Sequence, residues 1–209
     1  MSLVGRVFPK YAAASVQMGV HAAQAANFAK AAAQAPALGE RLDNAVRASN
    51  SFDHAITASK ELPVRRLVPN AGKYYAGYQA TKAVVGLIVG SGLVPGAAAR
   101  VGRNEIAAAR DEYTTGVSSY QASHGTRFER FRALDWMNAA LEDASQGVRM
   151  LKADDIARPL LQGIDRTRSD IRSKRELDPA QVRAVQDLLG RATTAFDAII
   201  AEASQAASK

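Results

Sequence analysis

The sequence predicts an all-α fold, a multi-helix bundle of about six to seven alanine-rich amphipathic helices joined as antiparallel hairpins. Three observations point there. Apolar residues recur at alternating three- and four-residue steps through most of the chain, which marks one face of a helix. Alanine, the strongest helix former, makes up much of the 47% hydrophobic content, while aromatics are only 6%. No run alternates β-branched and polar residues over the length of a strand.

The first helix is expected over Lys10 to Gln34, where no proline intervenes. Its seam is Tyr11, Ala14, Met18, His21, Ala25, Phe28 and Ala32. Most of these residues are small, so a second helix can approach closely. Pro36 and Gly39 break the helix. A second seam follows with the same period: Leu38, Leu42, Ala45, Ser49, Phe52, Ile56 and Ser59. It ends at Leu62-Pro63, because the residue before proline avoids helical geometry. The short break makes the pair a helical hairpin.

Asn70 is placed to cap a third helix whose first turns carry Tyr74, Tyr75 and Tyr78. Between Lys82 and Arg100 there is then no charged residue. Within this run Val85, Gly86, Leu87, Ile88, Val89 and Gly90 form a candidate membrane or helix-contact segment. Gly86 and Gly90, four apart, share a face that admits a close neighbour. Three readings are open, in descending order. The segment is a buried core hairpin, a membrane-touching or re-entrant hairpin, or a single membrane span. Gly90, Gly92, Pro95 and Gly96 stand against the last.

A fourth helix is expected from Ala97 to about Gln121, with Val101, Ile106, Tyr113, Val117 and Tyr120 as its larger apolar residues. Thr126 to Glu129 reads as a capping box. The helix after it carries Phe131, Leu134, Met137, Leu141, Ala144, Val148 and Leu151, with Trp136 beside that stripe. Asp154-Asp155 opens the next helix, Pro159 is expected in its first turn, and Leu160, Leu161, Ile164 and Ile171 give it an apolar edge. Asp178 as cap, Pro179 at the first helical position and Gln181 at the third start the last helix. That helix shows Val182, Val185, Leu189, Ala192, Phe196, Ile199, Ala203 and Ala206 in heptad spacing, and its tail from Ser204 is expected to fray. The expected organisation is an N-terminal hairpin over 1–69, an apolar glycine-punctuated hairpin over 70–125 and a C-terminal bundle over 126–209, or one continuous domain.

The residues that could carry chemistry are few. There is no cysteine, so disulfides, thiolate metal sites and cysteine nucleophiles are excluded. His21, His54 and His124 are far apart in sequence and not in metal-ligand spacing. Adjacent carboxylates such as Asp111-Glu112, Glu142-Asp143 and Asp154-Asp155 point in different directions on a helix and form no shared acid–base pair. The glycines of 86–96 lack the third glycine of a dinucleotide loop and the Gly-Lys-Ser/Thr of a phosphate loop. No catalytic residue, cofactor or metal is therefore expected.

The net charge of +7 permits attraction to phosphates, nucleic acid or anionic lipid, with a solvated basic surface as the competing reading. The most basic stretch supplies candidate phosphate contacts at Arg158, Arg166, Arg168, Arg172, Lys174 and Arg175. Interleaved aspartates and the lack of aromatics there favour a solvated face over nucleic-acid binding. The N-terminal stretch has no acidic residue before Glu40, a composition resembling a transit peptide. The competing reading is an alanine-rich helix that lacks acids. Met1 argues against cleavage in this form, and no secretory signal is expected.

The function expected is a non-enzymatic structural or accessory subunit of a larger, membrane-associated assembly. An organellar inner membrane and a phage virion are its two settings, with an inner-virion ejection protein as one form. Its partners are protein subunits or further copies of the chain, with the lipid bilayer as another. The alternative class is a basic helical nucleic-acid-binding module.

Overall fold

The computed structural model describes residues 4–60, 71–122, 127–151, 154–174 and 177–208. Seven helices are found among them: α1 (Val4–Gln34), α2 (Leu38–Lys60), α3 (Ala71–Ser91), α4 (Ala97–Ala122), α5 (Arg127–Val148), α6 (Asp154–Lys174) and α7 (Pro179–Ala207). They pack against each other with no strand among the described residues, so the chain is an all-α multi-helix protein. It divides into two compact units, 1–94 and 95–209. Thus α3 and α4, grouped by the sequence within 70–125, belong to different units.

The first unit is layered. Both α1 and α3 pack chiefly on α2. The described part of the α1 seam turns inward, with Ala25 buried and Met18, His21, Phe28 and Ala32 half-buried, while the side chains of Tyr11 and Ala14 lie outside the described residues. On α2, Leu42, Ala45, Val46, Ala48, Ser49, Ala55, Ala58 and Ser59 are buried. The turn between α1 and α2 is tied by Arg41, whose Nε donates to the Ala35 carbonyl at 2.6 Å. Gly77 of α3 lies so close to the Phe52 ring that a Cβ there would meet it at 2.5 Å. Two left-handed glycines, Gly92 (φ 68°) and Gly96 (φ 66°), flank the break between α3 and α4. That conformation carries no Cβ penalty only for glycine.

The second unit is a ring. Each of α4, α5, α6 and α7 packs on the next, and α7 returns to α4. This adjacency, with short connections, is that of an antiparallel four-helix bundle. Its core joins Ile106, Tyr113, Met137, Leu141, Val148, Leu160, Ile164, Val185, Leu189 and Phe196 into one cluster. Three glycines allow the helices to approach. A Cβ on Gly102 would meet the Phe196 ring at 2.4 Å, one on Gly116 would meet Met137 at 2.6 Å, and one on Gly163 would meet Leu188 at 2.7 Å.

Several local expectations hold. Asp178 caps α7, its carboxylate accepting from the Ala180 amide at 2.8 Å, with Pro179 just inside the helix. The stripes expected on the helices of the second unit face its core. Other expectations are corrected. Gln181 does not complete a capping box; its Nε2 donates across to the Asp170 carboxylate of α6 at 3.1 Å. Pro159 lies in the interior of α6 rather than its first turn, so one backbone bond of that helix is absent. α7 runs through Ser204 to Ala207. Asn70, Thr126 and the side chain of Glu129, expected to cap helices, lie outside the described residues.

Candidate interaction surface

On α3 the docked side is formed by Tyr74, Gly77, Tyr78, Thr81, Val85, Ile88 and Val89, all half-buried. The Thr81 hydroxyl bonds back to the Gly77 carbonyl at 2.9 Å, and the Lys82 ammonium sits 5.0 Å from the centre of the Tyr78 ring. The opposite side carries Ala76, Ala80, Ala83, Leu87 and Gly90. These residues advance by four, three, four and three, the spacing of a helix-packing seam, and all five are exposed. Leu87 is 74% exposed. Tyr75, Val84 and Leu93 are also among the exposed large apolar residues of this region.

The segment 85–90 is therefore split between two faces. Val85, Ile88 and Val89 turn toward the half-buried side, while Gly86, Leu87 and Gly90 turn outward. A Cβ on Gly86 or Gly90 would meet nothing within 4 Å, so no helix lies on that glycine pair. The buried-hairpin reading fails over residues 83–93, none of which is buried. It holds only at the end of the run, where Val94, Ala97 and Ala99 are buried. The single-span reading is also corrected: among the described residues no helix is long and apolar enough to cross a membrane. The physical reason is that Gly92 to Gly96 ends the helix before the apolar run is complete.

The structure breaks up the candidate phosphate contacts of α6. Arg168 is a packing group; its guanidinium pairs with Glu142 of α5, lies 3.9 Å from Asp165 and bonds Asn138 at 3.4 Å. Arg158, Arg166 and Arg172 are exposed, and so are Asp155 and Asp165. At 100° per residue all five share the outer face of α6, so its positive charge is largely offset. The side chain of Lys174 and all of Arg175 lie outside the described residues.

Charge is distributed unevenly between the units. Residues 1–94 contain ten Lys and Arg against four Asp and Glu, a surplus of +6. Residues 95–209 contain seventeen against sixteen, a surplus of +1. No acidic residue occurs between Glu61 and Glu105. The basic character thus coincides with the unit that bears α3, which the count for the whole chain conceals.

Other groups are brought together without forming a reaction centre. His21 and His54, distant in sequence, meet edge to face with ring centres 5.2 Å apart. Among the described residues no group of three or more His, Cys, Asp or Glu could hold a metal ion. Between α5 and α6 a cleft of about 500 Å³ is lined by Phe131, Leu134, Asp135, Asn138, Ile171 and Arg172. Beside it on α5, Arg132 stacks over the half-buried Trp136 ring at 5.1 Å; burial lowers the pKa of its guanidinium from the ordinary value. The Tyr113 hydroxyl is enclosed in the bundle with no hydrogen-bond partner among the described residues. Burial pushes its pKa up to about 12. No protein-family model matches this chain, and neither does any curated protein or solved structure.

Proposed function

We propose that this chain is a non-enzymatic structural or accessory subunit of a membrane-associated assembly. In this reading the four-helix unit is a self-contained body, and the layered N-terminal unit joins the chain to its assembly through α3. The observation that carries the reading is the exposed stripe Ala76, Ala80, Ala83, Leu87 and Gly90. It has the spacing and small side chains of a packing surface, on a helix whose opposite side is already docked. A solvated face would carry charged residues at such positions, and the stripe has none.

The test is fractionation of cells that produce the tagged chain. The chain is expected in the membrane fraction, and in a complex larger than a monomer after extraction with mild detergent. Leu87→Glu, at a site too exposed to be needed for folding, is expected to release it. Recovery of the unsubstituted chain as a soluble monomer overturns the proposal.

A further inference from the structure

We infer that the outer face of α3 docks on an anionic lipid surface, lying in its plane without crossing it. This rests on the membrane-associated reading above and adds the chemistry of what the helix meets.

The geometry supplies an apolar strip with positive edges. From Ala76 to Gly90 the stripe is about 21 Å long at the rise of an α-helix, comparable to the extent of an interfacial helix. Leu87 (74% exposed) is its largest side chain, toward its C-terminal end, and Tyr75, Val84 and Leu93 add apolar surface around it. Lys73 and Lys82 are nine residues apart, roughly 180° around the helix; Lys73 borders the stripe, and Lys82, also exposed, lies nearer the docked side, its ammonium 5.0 Å from the Tyr78 ring centre. They are the only charged residues of α3. Lysines flanking an apolar strip can bury their methylenes and keep the ammonium at headgroup level.

Charge decides between the possible occupants. A second copy would bring one +6 unit against another, and like charges oppose that pairing. Nucleic acid would satisfy the charge but leave the apolar stripe facing a polar groove. An anionic bilayer surface accepts both, with phosphates for the lysines and the acyl boundary for Leu87 and Val84. The acid-free run from 62 to 104 removes the repulsion that Asp or Glu would cause near such a surface.

The experiment is flotation of the purified full chain with two kinds of vesicle, one of phosphatidylcholine alone and one of phosphatidylcholine mixed with phosphatidylglycerol. The chain is expected to float with the anionic vesicles, less so as salt rises, and to remain behind with the neutral ones. Each lysine near the surface is worth about fivefold in partition. Lys73→Gln with Lys82→Gln is therefore expected to lower partition about 25-fold, and Leu87→Glu to abolish flotation. Arg158→Gln with Arg166→Gln, in the other unit, should leave it unchanged. Circular dichroism and melting of each variant separate loss of binding from loss of fold. Equal flotation with both vesicles overturns the headgroup preference but leaves the proposed function standing. Flotation with neither, while the chain still fractionates with cell membranes, overturns the inference and assigns the stripe to a protein partner. Loss on substitution of Arg158 and Arg166 alone places the surface elsewhere and also overturns it.

Discussion

Residues 1–94 and 95–209 are both helical and similar in length, but they solve the problem of burial differently. The C-terminal unit encloses Ile106, Tyr113, Met137, Leu141, Ile164, Leu189 and Phe196 in a closed ring of four helices. The N-terminal unit is a layer with α2 in the middle, and its described core is mostly alanine: Ala25, Ala35, Ala45, Ala48, Ala55 and Ala58, with Leu42, Val46 and Val94. Alanine buries little area, so each of these contacts stabilises less than a leucine would. Of the nine exposed large apolar side chains among the described residues, seven belong to the N-terminal unit. Closing a ring gives every helix two neighbours and hides its stripe. Stacking in a layer leaves the outer helices with one, and α3 keeps a face to spare.

That contrast can be broken or sharpened by substitution. The largest effect is expected in the closed unit: Phe196→Ala, at a fully buried site, should destabilise it by about 3–5 kcal/mol, measured by denaturant unfolding. Leu42→Ala is the matching test in the layered unit. It should cost about 2–5 kcal/mol and unfold residues 1–94 while leaving the bundle's amide protection intact. Equal loss of protection in both units would mean that they fold as one.

The Tyr113 hydroxyl gives a pH signature confined to the bundle. The unfolded chain loses this proton near pH 10, whereas the folded chain holds it to about 12. Across that window the unfolded state binds fewer protons, so stability falls as pH rises, by up to about 3 kcal/mol. Tyr113→Phe should remove this slope. It should also be neutral or slightly stabilising at neutral pH, because the buried hydroxyl has no partner. Paired melts of the two proteins at about pH 9, 10, 11 and 12, which cover both pKa values, read the difference directly.

The glycines separate packed positions from open ones. Gly102→Ala would press a methyl group against the buried Phe196 ring and should destabilise the bundle by about 1–3 kcal/mol. Gly86→Ala and Gly90→Ala meet no neighbour. Each should stabilise α3 by about 0.5–1 kcal/mol through helix propensity alone, visible as a higher melting temperature. A loss at Gly86 or Gly90 would show that a helix does lie on that face.

The sequence was most legible where a signal is local. The Asp178-Pro179 start of α7 could be read directly, because the cap bond spans two residues. The seams of α1, α5 and α7 could be read because helical period fixes which residues share a face. The glycines were only partly legible, for the opposite reason. Gly86 and Gly90 have the spacing of a contact pair, yet the close approaches are made by Gly77, Gly102, Gly116 and Gly163. Spacing shows that a neighbour could approach, but not that one does. Similarly, Gln181 has the right position for a capping box, but its Nε2 donates to a carboxylate of α6, which draws the side chain away from the cap.

Composition and periodicity by themselves determined the helical class, most helix boundaries, the apolar stripe of each helix and the absence of thiol chemistry. These follow from interactions within a few residues, or from the residue inventory. Only the tertiary structure decided which stripes are covered. It split the apolar run between a docked and an exposed face, drew Arg168 into a bridge to Glu142, and placed the basic surplus in the same unit as the uncovered side of α3. Those outcomes depend on which helices become neighbours, and that is set by packing across the whole unit, through contacts between residues that no local pattern links.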